Sequence, residues 1–232
     1  MPGIVTRDWL QLRDERPGAY STVEFMNTGD RPIRVVLFDI GGVLVELSGV
    51  PKLLAWMGNR VSPEELWKIW LTSPVVRAFE TGRTTPEVFA DRLIAEMALP
   101  VERDELLREF TSWTLGVFPG ALDLVGRIPR RYTRATLCNT NALHWPRLML
   151  EMHLAGAFDH HFASHLMGKI KPDEEVFQHV TDTLRCAAEE VLFLDDNQLN
   201  VAGAQRAGMR AVQVRGIAAA ERILQETGVL EN

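Results

Sequence analysis

Asp39, Asn139, Thr140, Lys171 and the pair Asp195-Asp196 are polar residues set at or just beyond the ends of short apolar runs. The runs are 35–38, 135–138, 161–164 and 191–194. A carboxylate such as Asp39 can attack phosphorus, giving an acyl phosphate that water later cleaves. Negative charge then builds on the phosphoryl oxygens and needs compensation. A divalent cation held by Asp39 and the acidic pair can supply part of it. Lys171 adds a positive charge beside nucleophile and phosphate, and backbone amides around Ile40-Gly41 and Asn139-Thr140 can cradle the remaining oxygens.

These residues are far apart in the chain, so the elements that carry them must converge. Val35-Val36-Leu37-Phe38 is a continuous apolar run stopped by Gly41-Gly42, the pattern of a strand buried on both faces. Comparable runs lie at 135–138, 191–194 and 211–214, with a weaker one at 161–164. Helical spacing follows Pro172 (Phe177, Val180, Leu184) and recurs at Val201, Ala204 and Ala207 before Gly208. Strands alternating with helices predict an α/β fold with a doubly wound parallel sheet, whose crevice lies at the carboxyl ends of the strands.

Roughly ninety residues separate the first run from the second, against about a dozen for a simple crossover, so an insertion is required. Its text is helical over 63–71, 74–80, 86–99 and 102–115, mostly behind Pro, Ser or Thr starts. We therefore expect a loose arm over 1–30, an α/β core over 31–47 and 116–232, and a helical insertion over 48–115. Trp56, Trp67, Trp70, Trp113 and Phe89 are assigned to the insertion's own core and its contact with the sheet.

The chain has 232 residues, 46% hydrophobic and 24% charged, ample for a packed core. Its net charge of -6 argues against nucleic acid as the main partner. No apolar run reaches the length of a membrane span, and 1–30 lacks a secretory apolar core, so a cytoplasmic protein is expected. Cys138 and Cys186 lack metal or disulfide spacing, and reduced thiols follow.

Taken together, the motifs resemble those of the haloacid dehalogenase superfamily. FDIGGVL begins at Phe38, CNTN at Cys138, KP at Lys171 and FLDDNQLN at Phe193, in the family's order. The resemblance spans about residues 33 to 215 and implies a Rossmann-like core with a helical cap, Phe79-Glu80-Thr81-Gly82 being similar to the cap's substrate-facing turn. It further implies a magnesium-dependent phosphatase acting on a small phosphorylated metabolite. A sugar phosphate leads, as in the glucose-1-phosphate-type branch, and a monomer or homodimer is expected.

Carried onto this chain, the resemblance makes Asp39 the nucleophile and a magnesium ligand, with the Gly41 carbonyl and Asp196 as further ligands. Asp195 then stands behind them or acts through water. Lys171 steadies nucleophile and phosphate, and Ile40, Gly41, Cys138, Asn139 and Thr140 surround the transferring group. Gly41 stands where most family phosphatases carry the acid that protonates the leaving oxygen. The expectation is a leaving group needing little protonation, such as an anomeric oxygen, or a substitute acid such as Glu46. Cys138 stands where the family has Ser or Thr, a role Thr140 can take over.

Two rivals keep the fold. A haloacid dehalogenase needs no metal, which the intact acidic pair speaks against, and a non-catalytic phosphate-binding relative would explain Gly41 and Cys138. A zinc site at His160, His161 and His165 is disfavoured because their segment reads as a strand. A dinucleotide site lacks its glycine pattern, and a signalling receiver would place its acidic pair before the nucleophile.

Overall fold

The computed structural model describes residues 31–231, so the expected arm over 1–30 lies outside the described residues. Five parallel strands form the central sheet: β1 (Val35–Phe38), β4 (Thr133–Cys138), β5 (His160–Ala163), β6 (Val191–Asp195) and β7 (Arg210–Gln213). Their order is β5-β4-β1-β6-β7, with β1 hydrogen-bonded to β4 on one side and β6 on the other. The chain thus builds outward in one direction and then in the other, leaving a crevice at the carboxyl edge around β1.

The four residues of β1 are all buried because each face of the strand meets a separate core. Val36 and Phe38 pack with Leu192, Leu194 and the helices α6 (Ala121–Arg127) and α10 (Gly216–Glu226). Val35 and Leu37 pack with Phe193 and the helices α8 (Glu174–Leu184) and α9 (Gln198–Arg206). An alternation of period two therefore underlies a sequence that reads as uniformly apolar.

After β1 and ahead of α6 come five helices: α1 (Gly49–Trp56), α2 (Pro63–Thr72), α3 (Pro74–Glu80), α4 (Pro86–Met97) and α5 (Arg103–Thr111). Ser62, Ser73 and Thr85 cap α2, α3 and α4, each followed by a proline at the first helical position, where the missing N–H costs nothing. These helices share a core that includes Leu66, Phe79, Phe89, Leu93 and Phe110. Trp70, Trp113 and Phe89 are buried in it as expected, and Trp56 packs at its margin. Trp67 departs from the expectation: it is exposed and lines the cavity described below.

The chain enters and leaves this helical cluster through an antiparallel ribbon of β2 (Val45–Leu47) and β3 (Thr114–Val117). The helix expected over 102–115 therefore stops at Thr111, because Thr114 to Val117 find strand partners in β2. The run 161–164 also shifts: β5 ends at Ala163, and Ser164 opens a short helix, α7 (Ser164–Met167).

Candidate active site

Asp39 follows β1 directly, and its N–H donates to the Leu194 carbonyl at 2.8 Å, extending the strand by one residue. Asp195 closes β6 and Cys138 closes β4, so all three reach the same edge. Lys171 crosses from the loop before α8 and is 1% exposed. Its Nζ donates to Asp39 Oδ1 at 2.7 Å, Asp195 Oδ2 at 2.7 Å and the Leu137 carbonyl at 2.8 Å. An ammonium has three donors, so this lysine is fully spoken for. Burial disfavours its charge, yet Asp195 and Asp39 outweigh burial and hold Lys171 above the ordinary lysine range.

Asp195 is saturated by the protein. Besides Lys171, it accepts from the Asn197 N–H at 2.8 Å and from Asn200 Nδ2 at 3.1 Å on each oxygen. Asp196 accepts no side-chain hydrogen bond among the described residues and lies against Gly42. There φ is +70°, and a Cβ would stand 2.3 Å from Asp196 Oδ2, so glycine permits both the turn and the close approach.

One oxygen from each of Asp39, Asp195 and Asp196 lies within 4.8 Å of the others. Three carboxylates against one ammonium leave two negative charges. Burial, resisted by Lys171 and reinforced by Asp195 and Asp196, pushes Asp39 up to about 8. Burial and Asp195, resisted by Lys171, push Asp196 up to about 6. Excess charge, hard oxygen donors and an Asp196 carboxylate that no side chain among the described residues engages by hydrogen bond fit a divalent magnesium ion. Asp39 and Asp196 are placed to hold it, with Asp195 locked behind them.

The remaining expected residues gather here with altered duties. Ile40, Gly41, Cys138, Asn139 and Thr140 line the cavity with Asp39, Lys171 and Asp196. The Asn139 amide, however, clasps the Lys171 backbone, donating to its carbonyl at 3.0 Å and accepting from its N–H at 2.9 Å. Its side chain positions Lys171, and the second N–H of its amide has no hydrogen-bond partner among the described residues. The Thr140 N–H donates to Ser164 Oγ at 2.9 Å, while the Thr140 hydroxyl is buried without a partner among the described residues. Burial and the neighbouring Asp39 push the Cys138 thiol up, so it stays a neutral, weak donor.

Glu46, the expected substitute acid, is exposed on β2 and does not line the cavity. His161 accepts or donates at Thr136 Oγ1, and both His161 and His165 pack edge-on to Trp145. Among the described residues, the acidic trio is the one cluster with metal-holding geometry.

The cavity above the trio opens to solvent, and the empty space in and at its mouth amounts to ≈ 1090 Å³. Its far wall is apolar: Leu47, Leu53, Leu66, Trp67, Trp70 and Trp113 line it. His144 bridges wall and core, its Nε2 lying 2.6 Å from the Phe110 carbonyl and its ring stacked on Phe110 at 4.5 Å. Burial pushes His144 down to about 4, so it is neutral. Glu80, within the turn 79–82 expected to face the substrate but given no duty of its own there, is a buried member of the lining.

Residues 33–208 match the family of haloacid dehalogenase-like hydrolases. The sesquiterpene phosphatase astK of Aspergillus oryzae is 31% identical over 76% of this chain and 87% of its own. Phosphatase MT3486 of Mycobacterium tuberculosis is 31% identical over 65% of this chain and 71% of its own. A HAD family enzyme of Bacteroides thetaiotaomicron, crystallised with magnesium and inorganic phosphate, is 25% identical over 79% of this chain and 94% of its own, with a TM-score of 0.60. The chain belongs to the haloacid dehalogenase-like hydrolases. Within that family it is an enzyme of the phosphatase kind.

Proposed function

We propose that this enzyme is a magnesium-dependent phosphomonoesterase that works through an aspartyl phosphate on Asp39. The observation that carries the proposal is the buried Asp39–Lys171–Asp195 chain at the floor of the cavity, with Asp196 unspent beside it. Lys171 holds Asp39 Oδ1, leaving Oδ2 to attack phosphorus. The Asn139 clasp and Asn200 fix Lys171 and Asp195, so the nucleophile is oriented before substrate arrives. Magnesium, when bound, neutralises charge on the phosphoryl oxygens. Water then attacks the phosphorus of the acyl phosphate, and the electron pair of the broken P–O bond returns to Asp39.

The dehalogenase alternative leaves Asp196 without a task, and the non-catalytic alternative leaves unexplained why Lys171 is locked onto Asp39. Residues 48–115 serve as the cap and 31–47 with 116–232 as the core in this proposal, the β2–β3 ribbon joining them. Cytoplasmic residence and a monomeric or homodimeric state belong to it as well; the free thiols Cys138 and Cys186 are compatible with a reducing compartment. No helix among the described residues is long and apolar enough to cross a membrane.

For the substrate, the apolar far wall favours a phosphate ester with a hydrocarbon body over the sugar phosphate that the motifs implied. The relation to a sesquiterpene phosphatase supports the same choice. The test is hydrolysis of a panel of monophosphates, including a sesquiterpenyl phosphate and a hexose 1-phosphate, with and without magnesium. Turnover should require magnesium, vanish in Asp39→Asn and favour the terpenyl ester. Preference for the hexose ester would return the substrate to the sugar class, and equal rates in Asp39→Asn would remove the catalytic assignment.

A further inference from the structure

A nucleophile at Asp39 does not by itself finish the reaction, because the departing oxygen needs a proton. Gly41 offers no side chain, and a Cβ built there would lie 2.8 Å from Leu47 Cδ1. The space an acid would fill at this position thus holds an aliphatic side chain.

Glu80 ends α3 and is 7% exposed, facing the cavity that Asp39 and Lys171 floor. The segment that bears it is docked on the sheet domain from both sides. Arg77, one turn earlier, pairs with Asp173, two residues beyond Lys171. Gly82, with φ at +71°, sits where a Cβ would be 2.3 Å from the His165 carbonyl oxygen, so backbone meets backbone. Trp70 Nε1 donates to Glu80 Oε1 at 3.3 Å, and no other hydrogen bond reaches this carboxyl among the described residues.

Among the described residues no cation pairs with Glu80. The Arg77 guanidinium is turned to Asp173, and the three donors of Lys171 go to Asp39, Asp195 and the Leu137 carbonyl. The titratable groups around it are Arg77 on its own helix, Lys171 and Cys138 on the floor, and Asp39, Asp196 and neutral His144 across the cavity. A carboxyl buried with one neutral donor favours its protonated form, and burial pushes Glu80 up to about 7 against the pull of Trp70, Lys171 and Arg77.

The geometry points to Glu80 as the catalytic acid and base at this site, delivered from the helical insertion in place of the residue missing at position 41. As Asp39 Oδ2 bonds to phosphorus, the P–O bond to the leaving group breaks with its electron pair going to that oxygen. The Glu80 proton is transferred to the same oxygen, releasing an alcohol and leaving Glu80 ionised. In the second half, Glu80 takes a proton from the attacking water as the P–O bond to Asp39 breaks, restoring both carboxyls. Because Glu80 comes from the insertion, acid catalysis switches on only while 77–82 is docked.

The inference rests on the phosphatase proposal and is tested separately from it with Glu80→Gln, which retains a carbonyl for Trp70. kcat/KM is measured with magnesium on a series running from nitrophenyl to simple alkyl phosphates. Positioned acids typically contribute ~10² to 10⁴ in rate. The variant should lose on that order with alkyl esters and less than about tenfold with the nitrophenyl ester, whose leaving group needs no proton. Trp70→Phe keeps the carboxyl but removes its donor, so the fall in kcat/KM above about pH 7 should move to higher pH.

An equal loss across the ester series in Glu80→Gln, or an unmoved pH limb in Trp70→Phe, would overturn the assignment. Asp39→Asn separates the two levels. Activity that survives in Asp39→Asn sinks the phosphatase proposal itself, whereas a uniform loss in Glu80→Gln with a dead Asp39→Asn removes only the role of Glu80.

Discussion

Lys171→Met tests the floor of the site without any assumption about substrate. In the wild type the ammonium lies 2.7 Å from each of two carboxylates, with side-chain exposures of 1% for Lys171, 10% for Asp39 and 0% for Asp195. At an effective dielectric of ~20, each contact is a gross attraction of ~6 kcal/mol, much of it offset by the desolvation of the ions. Methionine removes the cation while keeping most of the volume, so Asp39, already pushed up to about 8, must take up a proton or stand as a buried like charge beside Asp195. Deleting one partner of a buried pair costs about 3 to 5 kcal/mol. In a chain of this size that is a fall of roughly 6 to 20 °C in Tm. The assay is thermal and urea unfolding at neutral pH in EDTA, repeated with magnesium. Added magnesium should recover part of the loss, since a divalent ion compensates the stranded carboxylates. A change below about 1 kcal/mol in EDTA would refute the view that Lys171 carries the electrostatic balance of the site.

Further outcomes follow from neighbouring residues. His144 is held at about 4 against an ordinary 6.5, so the unfolded chain takes up the proton first; its contribution is complete above pH 6.5 and is lost as pH falls toward 4, by up to about 3 kcal/mol. Unfolding free energies of wild type and His144→Gln across that window should converge as acid is added, and a constant difference would contradict the assignment. Gly42→Ala places a methyl 2.3 Å from Asp196 Oδ2 at a φ of +70°, so the magnesium concentration for half-maximal activity should rise severalfold, while an unchanged requirement would remove Asp196 from the metal site.

Most of the sheet is legible in the sequence because β1 and β6 are buried on both faces, which writes continuous apolar runs ending in Asp39 and Asp195. The proline starts of α2, α3 and α4 are equally plain, since Ser62, Ser73 and Thr85 advertise their caps. The β2–β3 ribbon is not legible: three or four residues give too little periodicity, and Thr114 to Val117 continue a helical text until a partner strand intervenes. At the site, residue types identify Asp39, Lys171, Asp195 and Asp196, but hydrogen-bond partners decide duties. Asn139 is tied to Lys171 and the Thr140 N–H to Ser164, neither of which spacing can reveal. The turn bearing Glu80 is expected to face the substrate, but the duty proposed for Glu80 is hidden for the same reason. A glutamate in a helix of the insertion is unremarkable in sequence until Arg77 and Gly82 are seen to dock it over the floor. The nearer carboxylate, Glu46, is the natural choice from sequence and faces solvent instead.

The central claim is that Asp39 attacks phosphorus. Its most direct test is a chemical quench during turnover of a phosphate ester with magnesium, followed by borohydride reduction and peptide mass spectrometry. An aspartyl phosphate at Asp39 should appear as homoserine at that position. Reduction at a different residue, or substrate consumed in a single turnover with Asp39 untouched at every quench time, would contradict the account.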